Sequence, residues 1–136
     1  MYKLESDFCK AFISKLNSVN LKHNRIESHG TGVGIPDMFV QGGGDDWWIE
    51  LKNNRAVLIN SNVELAIPWR PGQRAWHITY NLCHVKKCSW VFMACMDGVV
   101  AIRIRHDGSD VYRFTDEQWH SLNLYRFLLS HTYINR

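Results

Sequence analysis

Leu4, Phe8, Phe12, Ile13 and Leu16 recur at helical spacing, which predicts a first amphipathic helix over about residues 3–18. The polar stretch "NSVNLKHN" ends it, and a short strand is expected around "RIES". The loop "HGTGVGIP" follows, with three glycines that can admit a close backbone approach to a ligand or serve an ordinary turn. Next, "GIPDMFVQGGGDDWWIELK" holds two apolar runs, "MFV" and "WWI", separated by a glycine-rich turn. An irregular connector, "NNRAVLINSNVELAIPWRP", leads to a second helix starting near Pro71, since proline suits a first helical turn, and reading "PGQRAWHITYNLCHV". The β-rich runs "SWVFMACM" and "GVVAIRI" are divided by "DG", a hairpin signal. "TDEQ" sets Thr115 and Gln118 in a capping-box pattern ahead of "WHSLNLYRFLLSHTY" as a last helix. The order α-β-β-β-α-β-β-α predicts an α/β protein with a small mixed sheet flanked by helices. With no repeat, low-complexity tract or linker, one domain is expected over residues 1–136.

Acids interrupt the two apolar runs at positions where a strand should be most buried. Asp37 directly follows Pro36, and Glu50 lies between Ile49 and Leu51 with Lys52 close behind. If Gly43 and Gly44 form a two-residue hairpin turn, facing residues have numbers that add to 87. Asp37 then faces Glu50 on one side of the ladder, with roughly 5 Å between the Cβ atoms. Lys52, two positions along, shares that face. Met38, Val40, Trp47, Ile49 and Leu51 point the other way and are the expected core. The assignment depends on register, because a slip of one residue reverses the faces.

Two carboxylates at that distance repel unless a cation lies between them. Mg²⁺ prefers carboxylate, carbonyl and water oxygens, so Asp37, Glu50 and the Leu51 carbonyl form a partial shell with room for phosphate and water. Lys52 could steady or help deprotonate an attacking water, or balance phosphate charge. The chemistry implied is phosphodiester hydrolysis. A structural alternative stands beside it: Asp37 as a turn acid after proline, with Glu50 and Lys52 as an exposed strand ion pair.

"GIPD" followed by "IELK" resembles the signature of the PD-(D/E)xK nuclease superfamily, in which the aspartate, glutamate and lysine form a metal-dependent catalytic site. "VELAIPWRPGQRAWH" is similar to the segment after the glutamate strand in phage-type and virus-type replication-repair nuclease domains, where a glutamine-bearing helix follows. Gln73 is the residue that carries over. The resemblance covers roughly residues 3–105, implies a restriction-endonuclease-like core, and leaves the C-terminal helix outside. An acid on the first helix often completes the metal site in this superfamily, and Glu5 stands at the matching place; it equally suits a first-turn acid complementing the helix dipole. The connector 53–67 is longer and less charged than a generic member would have.

On the second helix Gln73, Trp76, His77 and Tyr80 share one stripe. Gln73 could hold a phosphate oxygen or orient Lys52, with His77 one turn deeper as a further contact to DNA, while Trp76 and Tyr80 read as core. Arg55, Arg70 and Arg74 flank the catalytic strand and helix as candidate phosphate contacts, though each suits a solvated surface equally. Lys86 and Lys87 are too short a run to mark a nucleic-acid patch. Net charge of +3 with seven histidines permits an anionic partner without demanding one.

The four cysteines include no CxxC pair, and "CHVKKC" lacks the paired short spacings of a zinc site, so they read as reduced and mostly structural. No stretch approaches the roughly 18 apolar residues of a membrane span, and the expectation is a soluble, cytoplasmic protein, in the host cytoplasm if phage-encoded. The combined reading is a Mg²⁺-dependent DNA endonuclease, with Mn²⁺ as a substitute ion. Small size without a separate reading domain favours DNA shape over sequence, hence branched DNA and Holliday junctions. Small phage junction resolvases of the superfamily act as dimers, which implies a homodimer. The alternatives are a monomeric repair or DNA-degrading nuclease and a non-catalytic nucleic-acid-binding protein that keeps the fold.

Overall fold

The computed structural model describes residues 2–26, 34–84 and 87–131. In chain order the elements are α1 (Glu5–Ser18), β1 (Lys22–Arg25), β2 (Met38–Gly42) and β3 (Asp45–Asn53). A short 3-10 turn at Val63–Ala66 precedes α2 (Gln73–Cys83), and β4 (Cys88–Ala94), β5 (Gly98–Arg105), β6 (Gly108–Thr115), α3 (Asp116–Ser121) and α4 (Leu124–Ser130) follow. The strands form one six-stranded sheet in sequence order. Every neighbouring pair is antiparallel except β3 and β4, which run parallel. A parallel pair needs a crossover that carries the chain back along the sheet, and the connector with its 3-10 turn and α2 supplies it.

The sheet is covered on both faces, which is why β4 is buried at every position. Phe8, Phe12 and Leu16 of α1 join Trp119, Phe127 and Leu128 of the last two helices over one face. There Trp47, Ile49 and Leu51 of β3 meet them, as the alternation along that strand requires. The other face packs Val91, Met93, Val100 and Ile102 beneath the 3-10 turn and Ile78 of α2. Phe12 is fully enclosed, so truncation to alanine would cost about 3–5 kcal/mol.

Three features differ from the expected order. The strand around "RIES" lies earlier, at Lys22–Arg25, anchored by buried Leu21. It is an edge strand of polar residues, stabilised by backbone pairing with β2, so hydrophobic pattern gave little sign of it. Next, a sixth strand, β6, completes the sheet beyond a second "DG" turn at 107–108. Finally, the last helix is two. Thr115 and Gln118 do form the capping box, with Thr115 Oγ1 accepting from the Gln118 N–H at 3.2 Å and Gln118 Oε1 accepting from the Thr115 N–H at 2.9 Å. Asn123 then accepts the Arg126 N–H at 3.0 Å and starts a new helix, since an asparagine side chain competes with the helical backbone. The end of "RIES", most of the glycine loop, the end of the expected second helix with Lys86, and the tail after His131 lie outside the described residues. Among the described residues no helix is long and apolar enough to cross a membrane.

Candidate active site

The β2–β3 hairpin turns on Gly43 and Gly44, whose φ angles of 60° and 85° suit the two-residue turn that matches strand twist. Pairs from Met38↔Ile49 to Gly42↔Asp45 follow the register expected from that turn. Continued outward, the register sets Asp37 against Glu50 and Pro36 against Leu51. Proline has no N–H to donate, so the ladder stops there. The Leu51 N–H instead donates to Asp37 Oδ2 at 3.0 Å. In an extended strand the N–H and C=O of one residue point to the same side, so the Leu51 carbonyl is also turned toward Asp37. The Asp37 carbonyl accepts the Ile26 N–H at 2.7 Å, which anchors the main chain of this acid while β3 anchors its side chain.

Glu50 and Lys52 are both buried, at 2% and 5% exposure, and Lys52 Nζ lies 3.5 Å from Glu50 Oε2. An exposed strand ion pair is therefore not what the fold makes of them. Glu50 Oε1 is buried without a hydrogen-bond partner. Burial first, and then the Asp37 carboxylate, push the Glu50 carboxyl well above the usual carboxylate range, against a smaller downward pull from Lys52. Two acids and an orphaned oxygen in one enclosed corner are costly, by about 1–3 kcal/mol for the unsatisfied atom alone. A hard divalent cation removes both costs, and an all-oxygen set of Asp37, Glu50 and the Leu51 carbonyl suits Mg²⁺ better than a softer metal. Among the described residues no group of three or more His, Cys, Asp or Glu gathers to hold a metal, so Glu5 does not complete a shell in this geometry.

A cleft of about 610 Å³ opens at Asp37 and Leu51, and Glu5 lines it from the first turn of α1. Arg70 joins it, and so do two basic residues that the sequence reading did not single out, Lys10 and Arg25. Only their placement against Asp37 by α1 and β1 gives them meaning; helical spacing marks Lys10 as an exposed residue and nothing more. Gly34, with φ of 90°, packs on the backbone at Gly72, where a Cβ would collide with the Gly72 carbonyl. That contact fixes the segment carrying Pro36 and Asp37 against the start of α2.

The stripe expected on α2 divides in two. Gln73, His77 and Asn81 face the sheet and are buried. Gln73 Oε1 accepts the Arg70 N–H at 2.8 Å, so this amide holds the backbone of a cleft residue. His77 is fully buried, which corrects its expected role in contacting DNA: no phosphate can reach it. Its Nδ1 pairs with Ser89 Oγ at 2.7 Å, and burial, followed by the nearby Lys52 charge, lowers its pKa to about 3. Trp76 and Tyr80 are half-buried and belong to neither core, a second correction, because the helix turns residues 73, 77 and 81 inward instead. Arg55 and Arg74 are exposed and do not line the cleft.

No protein-family model matches this chain, and no curated protein matches it. Among solved structures it is similar to Hjc, a Holliday junction resolvase from the archaeal hyperthermophile Archaeoglobus fulgidus. The two are 12% identical, with a TM-score of 0.50 over 79% of this chain and 87% of that one. At that identity the likeness is one of fold, a mixed six-stranded sheet flanked by helices in the restriction-endonuclease-like arrangement.

Proposed function

We propose that this protein is a Mg²⁺-dependent DNA endonuclease, selective for branched DNA and acting as a homodimer. The observation that carries the reading is the pair of acids, Asp37 and Glu50, set on one strand face by the hairpin register, with buried Lys52 Nζ 3.5 Å from Glu50. A site kept for stability alone would do as well with apolar residues, because buried ion pairs are weak stabilisers. Asp37, Glu50 and the Leu51 carbonyl would hold the ion. When bound, Mg²⁺ supplies Lewis-acid polarisation of the phosphodiester and a more acidic water.

Hydrolysis forms a bond from water oxygen to phosphorus, breaks the bond to the departing sugar oxygen, and moves one proton from the water to that oxygen. Lys52 balances the charge that builds on the phosphate and steadies the attacking water. Arg70, Lys10 and Arg25 around the cleft offer contacts to the flanking phosphates. Gln73 acts at one remove, by holding the main chain of Arg70. The fold likeness to a junction resolvase supports a branched substrate, and two strands cut at one branch require two sites, hence two copies. Three of the four cysteines, Cys9, Cys88 and Cys95, are buried, which suits a reducing cytoplasm.

The test is digestion of supercoiled plasmid, linear duplex, single strand, flap and four-way junction in Mg²⁺, with Asp37→Asn and Glu50→Gln as controls. Junction cleavage that both substitutions abolish is expected. A folded wild-type protein that leaves every substrate intact in Mg²⁺ and in Mn²⁺ would overturn the reading.

A further inference from the structure

β6 forms one edge of the sheet and pairs with β5 alone. Its register is unbroken from Gly98↔Thr115 to Arg105↔Gly108, across a two-residue turn at 106–107. The pair that closes such a turn exchanges ladder bonds, and bonded and unbonded positions alternate from there. Gly108, Asp110, Tyr112 and Phe114 therefore bond to β5, while the N–H and C=O groups of Ser109, Val111 and Arg113 point outward. Thr115, next in that series, has the same phase, because its N–H turns away from β5 and donates to Gln118 Oε1 at 2.9 Å. Among the described residues no strand or loop meets the outward groups of Ser109, Val111 and Arg113.

Sheets ordinarily blunt such an edge with a short strand, a lysine, a proline or a bulge. β1, at the opposite edge, follows that rule with four polar residues that include Lys22 and Arg25. β6 runs for eight residues with no proline, lysine or bulge. Its acid, Asp110, is drawn to Arg103 and Arg105 of the neighbouring strand. Beside the open edge lies a groove of about 630 Å³, walled by the last two helices. Phe114, Leu122 and Phe127 line it with apolar surface, and Arg113 and Arg126, both exposed, line it with positive charge. No aspartate or glutamate lines it among the described residues. Arg113 Nε donates to the Ile59 carbonyl at 2.6 Å, which fixes the guanidinium at the edge and leaves the rest of its fork to a partner.

We infer that β6 takes up an extended acidic peptide from a partner protein as a further strand of the sheet, seated against the helix wall. The inference goes beyond the nuclease reading and does not depend on it, since β4 and β5 separate this edge from β3. An extended polypeptide satisfies the outward N–H and C=O groups together. A DNA backbone offers only acceptors and would leave the Val111 and Arg113 carbonyls unmet. A second copy of β6 would bring a second pair of arginines and no acid to face them. Arg113 shares the strand face of Val111, and Phe114 the opposite face, toward the last helices. Alternate side chains of the added strand then meet unlike surroundings, acids beside Arg113 and apolar residues over Phe114 and Phe127. Arg126 adds a second cation on the helix wall.

The test measures binding of a fluorescent octapeptide that alternates aspartate with valine, against one that alternates lysine with valine. The acidic peptide should bind about tenfold or more tighter. Two further acidic octapeptides carry backbone N-methyl groups, one on its aspartates and the other on its valines. A strand pairs through alternate residues, so one of these isomers should lose binding about tenfold or more and the other should keep it. Val111→Pro spares the ladder to β5, because the lost N–H points outward, and should weaken the acidic peptide about tenfold or more. Arg126→Gln should weaken it about 2- to 5-fold. DNA cleavage by both variants should match the wild type, so failure here leaves the nuclease reading standing. Equal binding of the acidic and basic peptides, or of both N-methylated isomers, overturns the inference even if a variant fails to fold. Oligothymidine binding that Val111→Pro and Arg126→Gln weaken, without binding of the acidic peptide, also overturns it and assigns the edge to DNA. A wild-type dimer that Val111→Pro dissociates overturns it too and assigns the edge to a second copy of this chain.

Discussion

Asp37 accepts the backbone N–H of Leu51 at 3.0 Å, so the acid at the head of β2 is tied to the strand position immediately after Glu50. The two acids are held together from both sides of an interrupted ladder. Asp37→Asn keeps an oxygen for that N–H and loses the charge that helps push Glu50 upward. Cleavage should be abolished, while the metal-free protein gains about 0.5–2 kcal/mol of stability from relieved repulsion. Thermal melts with and without Mg²⁺ check this: the ion should raise the wild-type melting temperature and leave that of the variant unmoved. Normal cleavage by Asp37→Asn would remove Asp37 from the site.

Lys52 is buried with its ammonium beside Glu50, an arrangement that serves the reaction if the phosphate enters there. Lys52→Met should lower turnover on the order of 10²- to 10⁴-fold, the range for lost acid-base or charge assistance. DNA affinity measured in Ca²⁺ should change little. A near-wild-type rate would demote Lys52 to a structural cation.

Pro36 has no N–H to offer the Leu51 carbonyl at the position where the ladder would continue. Pro36→Ala restores an N–H that can compete for that carbonyl. The Mg²⁺ concentration for half-maximal cleavage should rise on the order of tenfold. An unchanged Mg²⁺ requirement in a folded variant would exclude the carbonyl from the ion's shell.

His77 is held neutral by burial, with its pKa lowered to about 3. Below about pH 6.5 the unfolded chain takes up a proton here that the folded chain refuses. The unfolded state therefore binds more protons between those values, so stability is lost as pH is lowered from about 6.5 towards 3, by up to about 1.4 kcal/mol per unit from this group. Nitrogen NMR of the imidazole should find His77 still neutral at about pH 5. Titration near its ordinary value would mean that α2 does not bury the ring.

A shape reader built from two subunits gains affinity from several phosphate contacts, so a four-way junction should out-compete a linear duplex of equal length, with affinity falling steeply as salt rises. Competition binding in Ca²⁺ at two salt concentrations, together with the mass in solution, tests both points. A strict monomer that binds junction and duplex equally would reject the resolvase reading and leave the hydrolytic site untouched.

The acids were legible because a hairpin is local. Two glycines with positive φ set the turn, the turn set the register, and the register put residues 37 and 50 on one face before any tertiary contact was known. The same period of two assigned Met38, Val40, Trp47, Ile49 and Leu51 to the core, where they are buried. β6 escaped notice although it carried its own turn signal, because its residues are mostly half-exposed and no apolar run marks it. The break at Asn123 was likewise local, an asparagine cap inside a run that reads as continuous helix.

What α2 presents was a matter of docking. Helical spacing gathers residues 73, 76, 77 and 80 on one side, yet the angle at which the helix meets β4 and β5 decides which of them turns inward. That angle buried His77 and left Trp76 and Tyr80 half in water beside Trp48. The basic rim of the cleft, Lys10 from α1 and Arg25 from β1, arises in the same way, from elements distant in sequence that converge on Asp37. Local turn chemistry and a two-residue period are properties of neighbours along the chain, so the sequence carried the acid pair. Which helix face is covered, and which charges ring the cleft, depend on contacts between segments tens of residues apart, and only the packed fold decides them.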